Sequence, residues 1–98
     1  VKDVVSELEA HSERLRELGA RRIGVFGSRA RGDATASSDL DVYVEFDIGR
    51  KNFRSFNALY EFLESLFPVQ IDLVTDGALE PRKARLILPT VRYASIGS

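Results

Sequence analysis

Apolar positions recur with two different periods along this chain. Val1, Val4, Val5, Leu8, Leu15 and Leu18 follow helical spacing, and Gly19 stands where a helix end favours left-handed backbone. The spacing predicts a helix over residues 3–18, its stripe interrupted by polar His11 and Ser12. The run from Ile23 to Phe26 is short, apolar and closed by Gly27, and reads as a strand. Residues 28–32 have room for one helical turn, and the small polar residues of 33–38 read as a loop. The period then becomes two. Leu40, Val42, Val44 and Phe46 alternate with Asp41, Tyr43 and Glu45, the signature of a half-buried strand. A turn containing Gly49 follows, over 47–52. Phe53, Phe56, Leu59, Tyr60, Leu63, Leu66 and Phe67 return to helical spacing until Pro68 ends the element. Val69, Ile71 and Leu73 alternate with Gln70, Asp72 and Val74 as a third strand. Asp76-Gly77 turns the chain, Pro81 opens a short helix running to Leu88, and residues 91–94 form a fourth strand. The order predicts a small mixed β-sheet with helices packed on one face, a two-layer α+β fold.

Composition narrows the setting. The chain has 98 residues and a formal net charge of −1, which is one domain's worth, residues 1–98. Charges of both signs point to no polyanionic partner. The absence of cysteine excludes disulfides and thiolate metal sites, and a single histidine, His11, cannot by itself build a zinc site. No apolar stretch approaches the ~20 residues of a membrane span, and the acidic, amphipathic N-terminal segment is unlike a signal peptide. The expectation is a soluble cytoplasmic protein with no membrane partner.

Candidate chemistry sits on the strands. Residues two apart on a strand share a face, so Asp39 and Asp41 point together, opposite Leu40 and Val42. On the third strand Asp72 likewise opposes Ile71 and Leu73. If the two strands are neighbours, their apolar faces both meet the helices and all three carboxylates gather on the open face. Two unit charges about 4 Å apart repel by ~4 kcal/mol at an effective dielectric near 20, so such a set separates, takes a proton or takes a cation. Oxygen-only ligands suit Mg²⁺ or Mn²⁺. A calcium helix-loop-helix does not fit. With Asp39 in its first position, Val44 falls where glycine is needed and Arg50 where a bidentate glutamate is needed.

The turn Gly27-Ser28 at a strand end permits close backbone approach. Ser28 can cap the following turn, leaving amides and a hydroxyl for an anion, with Arg29 and Arg31 adding positive charge. It also reads as an ordinary turn, with both arginines pairing to Asp33 or Glu45 on the surface. It is neither a P-loop nor a dinucleotide fingerprint. Tyr43 shares the aspartate face, to line a cleft or to cover sheet surface. Phe53, Phe56, Tyr60 and Phe67 read as core, Glu45 as solvated, His11 as a helix-surface or interface residue, and Arg82, Lys83 and Arg85 as a solvated helix face.

Taken together, "GSRARGDATASSDLDVYVEF" and "VQIDLV" resemble the minimal nucleotidyltransferases of prokaryotes, within the DNA polymerase β-type nucleotidyltransferase superfamily. The resemblance implies the nucleotidyltransferase fold and transfer of AMP from ATP to a hydroxyl of a partner protein. It implies that Asp39, Asp41 and Asp72 are catalytic metal ligands for two Mg²⁺ ions, with Mn²⁺ as a substitute. It implies that Gly27, Ser28 and Arg29, with Asp39 and Asp41, bind the nucleoside triphosphate. Many such proteins are antitoxins that neutralise a small helical HEPN ribonuclease toxin by binding and adenylylating it, so a HEPN-type toxin is the implied partner. So small a domain has little material to enclose a nucleobase, which points to completion of the site in a homo- or hetero-oligomer. The apolar faces of the first and last helices are candidates for that contact. The alternatives are an antitoxin that acts by binding alone, a nucleotide sensor, and a nucleotidyltransferase acting on a nucleic acid or small molecule. The near-neutral charge disfavours a nucleic acid as direct partner.

Overall fold

A computed structural model describes residues 3–32, 35 and 38–97. Val1, most of the expected loop 33–38, and Asp33 as a partner for an arginine lie outside the described residues. Helices α1 (Val4–Ala10) and α2 (Ser12–Glu17) lead into strand β1 (Ala20–Phe26) and the single turn of α3 (Ser28–Arg31). Strand β2 (Leu40–Phe46), helix α4 (Phe53–Leu66) and strand β3 (Ile71–Thr75) follow. A 3₁₀ turn (Asp76–Ala78), helix α5 (Pro81–Ile87), a second 3₁₀ turn (Leu88–Thr90) and strand β4 (Arg92–Tyr93) complete the order.

The four strands form one mixed sheet in the order β3-β2-β1-β4. β2 is parallel to β3, and β1 is antiparallel to both β2 and β4. The two-residue period of β2 fixes this arrangement. Leu40, Val42, Val44 and Phe46 are buried, as are Val25 and Ile23 across β1 and Ile71 and Leu73 across β3. All face Leu8, Leu15, Leu59 and Leu63 from α1, α2 and α4. The core therefore lies between one face of the sheet and these three helices, as the alternation requires.

The expected first helix is two. His11, at φ −112° and ψ 28°, breaks it. Its Nδ1 lies 3.0 Å from the Glu7 carbonyl oxygen, and its ring meets Phe62 edge-on, with centroids 5.7 Å apart. β1 begins three residues before the expected Ile23, through an irregularity between Ala20 and Arg22 that sends both Arg21 and Arg22 toward Glu45 on β2. Helix α4 starts on the Asn52 cap, whose side chain accepts from the Ser55 amide, and ends where Phe67 is extended before Pro68. Phe56, Tyr60 and Phe67 pack against the core as expected. Phe53, the first residue of α4, does not: it is 81% exposed. Helix α5 buries none of its residues. Among the described residues no helix is long and apolar enough to cross a membrane.

Candidate active site

Parallel pairing places Asp41 and Asp72 directly across from one another on β2 and β3, about 4.8 Å apart in backbone spacing. Both carboxylates lie on the sheet face away from the helices, close enough there to act on each other directly. Partial burial, then the charges of Asp72 and Asp39, hold the Asp41 carboxyl above its usual range, with Arg31 pulling the other way. Asp39 is exposed, one residue before β2 begins, and acts on Asp41 through its charge alone. The expected carboxylates of Asp41 and Asp72 thus share one face, with Asp39 near enough for its charge to reach Asp41. Asp41 and Asp72 are neighbours across the paired strands and Asp39 stands at the rim.

The turn after β1 meets this pair. Phe26 is the cross-strand partner of Asp41, so the next residue, Gly27, arrives beside the Asp41 carboxylate. Gly27 has φ 76° and ψ −153°, a conformation essentially restricted to glycine. A Cβ placed on it would collide with Asp41 Oδ2. Gly27, not Ser28, occupies the cap position, and no side chain caps α3. The Gly27 carbonyl accepts from both the Ala30 and Arg31 amides, each at 3.1 Å. Ser28 is the first residue of the helical turn, and among the described residues its hydroxyl has no hydrogen-bond partner.

The arginines divide. Arg29 Nη2 donates to the Ser38 carbonyl at 2.7 Å and reaches that of Thr35 at 3.5 Å. Glu45, expected to be solvated, is held by Arg21 at 3.0 Å and Arg22 at 3.7 Å, and accepts from the Tyr43 hydroxyl at 2.9 Å. Tyr43 is 2% exposed. Burial, and the bond it donates to Glu45, push its phenol well above the usual range. Its ring meets Tyr93 edge-on at 6.3 Å, and Arg22 lies 4.1 Å over the Tyr93 ring. Tyr43 therefore covers sheet surface next to the carboxylates, one of the two readings its position allowed. A cavity of about 190 Å³ between Lys51, Phe53, Phe56 and Thr75 lies at the opposite ends of β2 and β3.

A divalent cation suits this donor set. The closest groups are carboxylate oxygens, their mutual repulsion is visible in the shifted Asp41, and a hard cation relieves it. Among the described residues no three acidic, histidine or cysteine side chains already close around a single point, so Asp39 must turn inward to complete a shell with Asp41 and Asp72. The bare backbone of Gly27 leaves the approach to Asp41 open.

Sequence reading missed three features. Gly24 lies where Val91 and the β4 backbone cross β1, and an isolated glycine in a strand pattern is the one signal for it. The bulge at Arg21 could be suspected only from two adjacent arginines ahead of an apolar run. The engagement of Arg29 with the loop leaves no mark in the sequence.

Comparison with known proteins places the chain in a family. The nucleotidyltransferase domain family matches residues 8–93. The chain is 39% identical over 94 residues to a protein adenylyltransferase, MntA, of Thermococcus cleftensis, covering 95% of this chain and 94% of that protein. It is 37% identical over 76 residues to the Methanocaldococcus jannaschii protein MJ1379, provisionally named a protein adenylyltransferase, covering 74% of each. A solved structure provisionally described as a minimal nucleotidyltransferase superposes with a TM-score of 0.74 at 36% identity, covering 90% of this chain and 93% of that one.

Proposed function

The chain belongs to the nucleotidyltransferase domain family and is a nucleotidyltransferase, and from that premise we propose that, as a single minimal domain in the cytoplasm, it transfers AMP from ATP to a hydroxyl of a partner protein. The observation that carries this reading is the meeting of Asp41 and Asp72 beside the Gly27-Ser28 turn, with Asp39 at the rim. The partner is a HEPN-type ribonuclease toxin, which this protein neutralises as an antitoxin. The names of the relatives support protein adenylylation.

Each residue then has a role. The Gly27 turn and the Ser28 hydroxyl hold the β- and γ-phosphates, and Arg29 and Arg31 add positive charge beside them. Asp39 and Asp41 orient the triphosphate. Bound to Asp39, Asp41 and Asp72, two divalent ions, Mg²⁺ or Mn²⁺, would stabilise the attacking and leaving oxygens of an in-line displacement. Asp72, on the edge strand, faces the acceptor and takes its hydroxyl proton. The acceptor oxygen forms a bond to the α-phosphorus, the bond from that phosphorus to the bridging oxygen breaks, and pyrophosphate leaves past Ser28. Positioning and charge carry such a transfer, as in other phosphoryl reactions.

The test is incubation with a HEPN protein, ATP labelled at the α-phosphate and Mg²⁺. Label should appear on the partner and vanish with Asp39→Asn/Asp41→Asn. Absence of label with the wild-type protein, or its persistence in the double variant, refutes the assignment.

A further inference from the structure

We infer that Arg29 is a positioning residue for Asp39, clamping Ser38, the residue immediately before it. The inference rests on the reading of Asp39 as a metal ligand. Residues 35 and 38 bond to each other reciprocally. The Ser38 amide donates to the Thr35 carbonyl at 3.1 Å, the Thr35 amide donates to Ser38 Oγ at 2.8 Å, and the two hydroxyls are 3.2 Å apart. Arg29 reaches out of α3 to the carbonyls of both residues, with the short bond on Ser38. A guanidinium donor at 2.7 Å is a charge-assisted bond, roughly twice the strength of a neutral one.

Asp39 is thereby held from both sides. Ser38 precedes it under the Arg29 clamp. Leu40 follows it, fully buried, with its amide bonded to the Gln70 carbonyl at 2.8 Å. A single residue between two fixed points has little freedom in φ and ψ. Asp41 needs no such device, because β1 and β3 flank it by direct pairing. The Nε of Arg29 is buried without a hydrogen-bond partner, a desolvation cost accepted to keep the far end of the side chain on the loop. Because α3 also begins at the Gly27 turn, one helical turn couples the proposed phosphate turn to the rim aspartate.

A phosphate ligand and a clamp fail differently when lost. The experiment compares wild type, Arg29→Ala, Arg29→Lys and Asp41→Asn by backbone amide relaxation, by Mn²⁺ titration without nucleotide, and by kcat and KM for ATP at saturating Mg²⁺. Loss of the clamp predicts raised mobility at the Ser38 and Asp39 amides with Asp41 and Asp72 unchanged. Mn²⁺ affinity falls about 10–100-fold, as when a ligand's supporting partner is removed, and kcat falls more than KM rises. Arg29→Lys keeps the charge, but on a shorter side chain whose nitrogen falls short of the place Nη2 takes against the Ser38 carbonyl, so it resembles Arg29→Ala. Wild-type amide mobility and Mn²⁺ affinity in Arg29→Ala, or a loss confined to KM for ATP and rescued by Arg29→Lys, overturns the clamp. Wild-type Mn²⁺ affinity in Asp41→Asn instead overturns the metal reading, and this inference with it.

Discussion

The Asp41 carboxylate occupies the volume that a side chain on Gly27 would need. Backbone and charge are thus fitted to each other at the one point where β1 and β2 leave the sheet together. Gly27→Ala should cost about 1–3 kcal/mol from the forced backbone alone, and more from displacing Asp41. Urea unfolding of Gly27→Ala in the wild-type and Asp41→Ala backgrounds separates the two. The penalty is smaller without the Asp41 side chain if the contact is energetic. Equal penalties assign the whole cost to backbone strain. Nucleotide transfer should be lost in Gly27→Ala.

Gly24 makes a second close approach, at the other edge of β1. A Cβ there would stand 2.5 Å from Val91 Cγ1 and 2.8 Å from the Arg92 carbonyl oxygen. Backbone cannot yield as a side-chain tip can, so Gly24→Ala should destabilise by about 1–3 kcal/mol, the usual cost of overpacking. β4 has only Arg92 and Tyr93 in register with Gly24 and Val25, so it should detach first. Hydrogen exchange at the Ala94 amide, which bonds Ile23 at 2.9 Å, should rise more than exchange in β2. Uniform loss of protection would contradict this order.

Local period carried much of the architecture. β2 appears with the bounds its alternation demands, and α4 ends one residue before the last of its stripe. The convergence of Asp41 and Asp72 followed from the same rule, because apolar faces that must share a core force their opposite faces to agree. What escaped depends on contacts distant in the chain. The break at His11 is braced by Phe62, fifty-odd positions away. Glu45 is drawn in by Arg21 and Arg22 from a neighbouring strand. The carboxylates' common face was legible from spacing, whereas Asp39's position at the rim depends on how the chain enters β2.

The turn after β2 is tied to the one after β3 by a bridge of 2.9 Å between Lys51 and Asp76, each nearly half exposed. The bond from Lys51 is the main influence holding the Asp76 carboxyl below its ordinary range. A lowered value in the folded state means stability present above the unfolded value, near 3.8, and lost as pH falls through the folded one. Solvent screening keeps the effect under about 1 kcal/mol. Asp76→Asn should therefore lower the melting temperature slightly at pH 7 in low salt. The difference from wild type should shrink in 1 M salt and disappear well below pH 3.8. A difference that persists at low pH would trace to packing instead.

Asp41 behaves oppositely, and its sign tests the site. Its carboxyl is held above its ordinary value of 3.8 by burial and by Asp72 and Asp39. The folded chain therefore holds that proton where the unfolded chain has released it, and stability falls as pH rises from about 3.8 through the folded value. Asp41→Asn removes this loss. In metal-free buffer with chelator the variant should match wild type below that window and melt higher than wild type at pH 7. Saturating Mn²⁺ should reverse the order, because a ligand bound only by the folded state stabilises it by mass action, and the variant has lost a carboxylate that holds the ion. Thermal melts at two pH values, with and without Mn²⁺, give all four arms. A variant less stable than wild type at pH 7 without metal would mean that the Asp41 charge is satisfied by the fold itself, and the case for a cation between Asp41 and Asp72 would fail on its energetics.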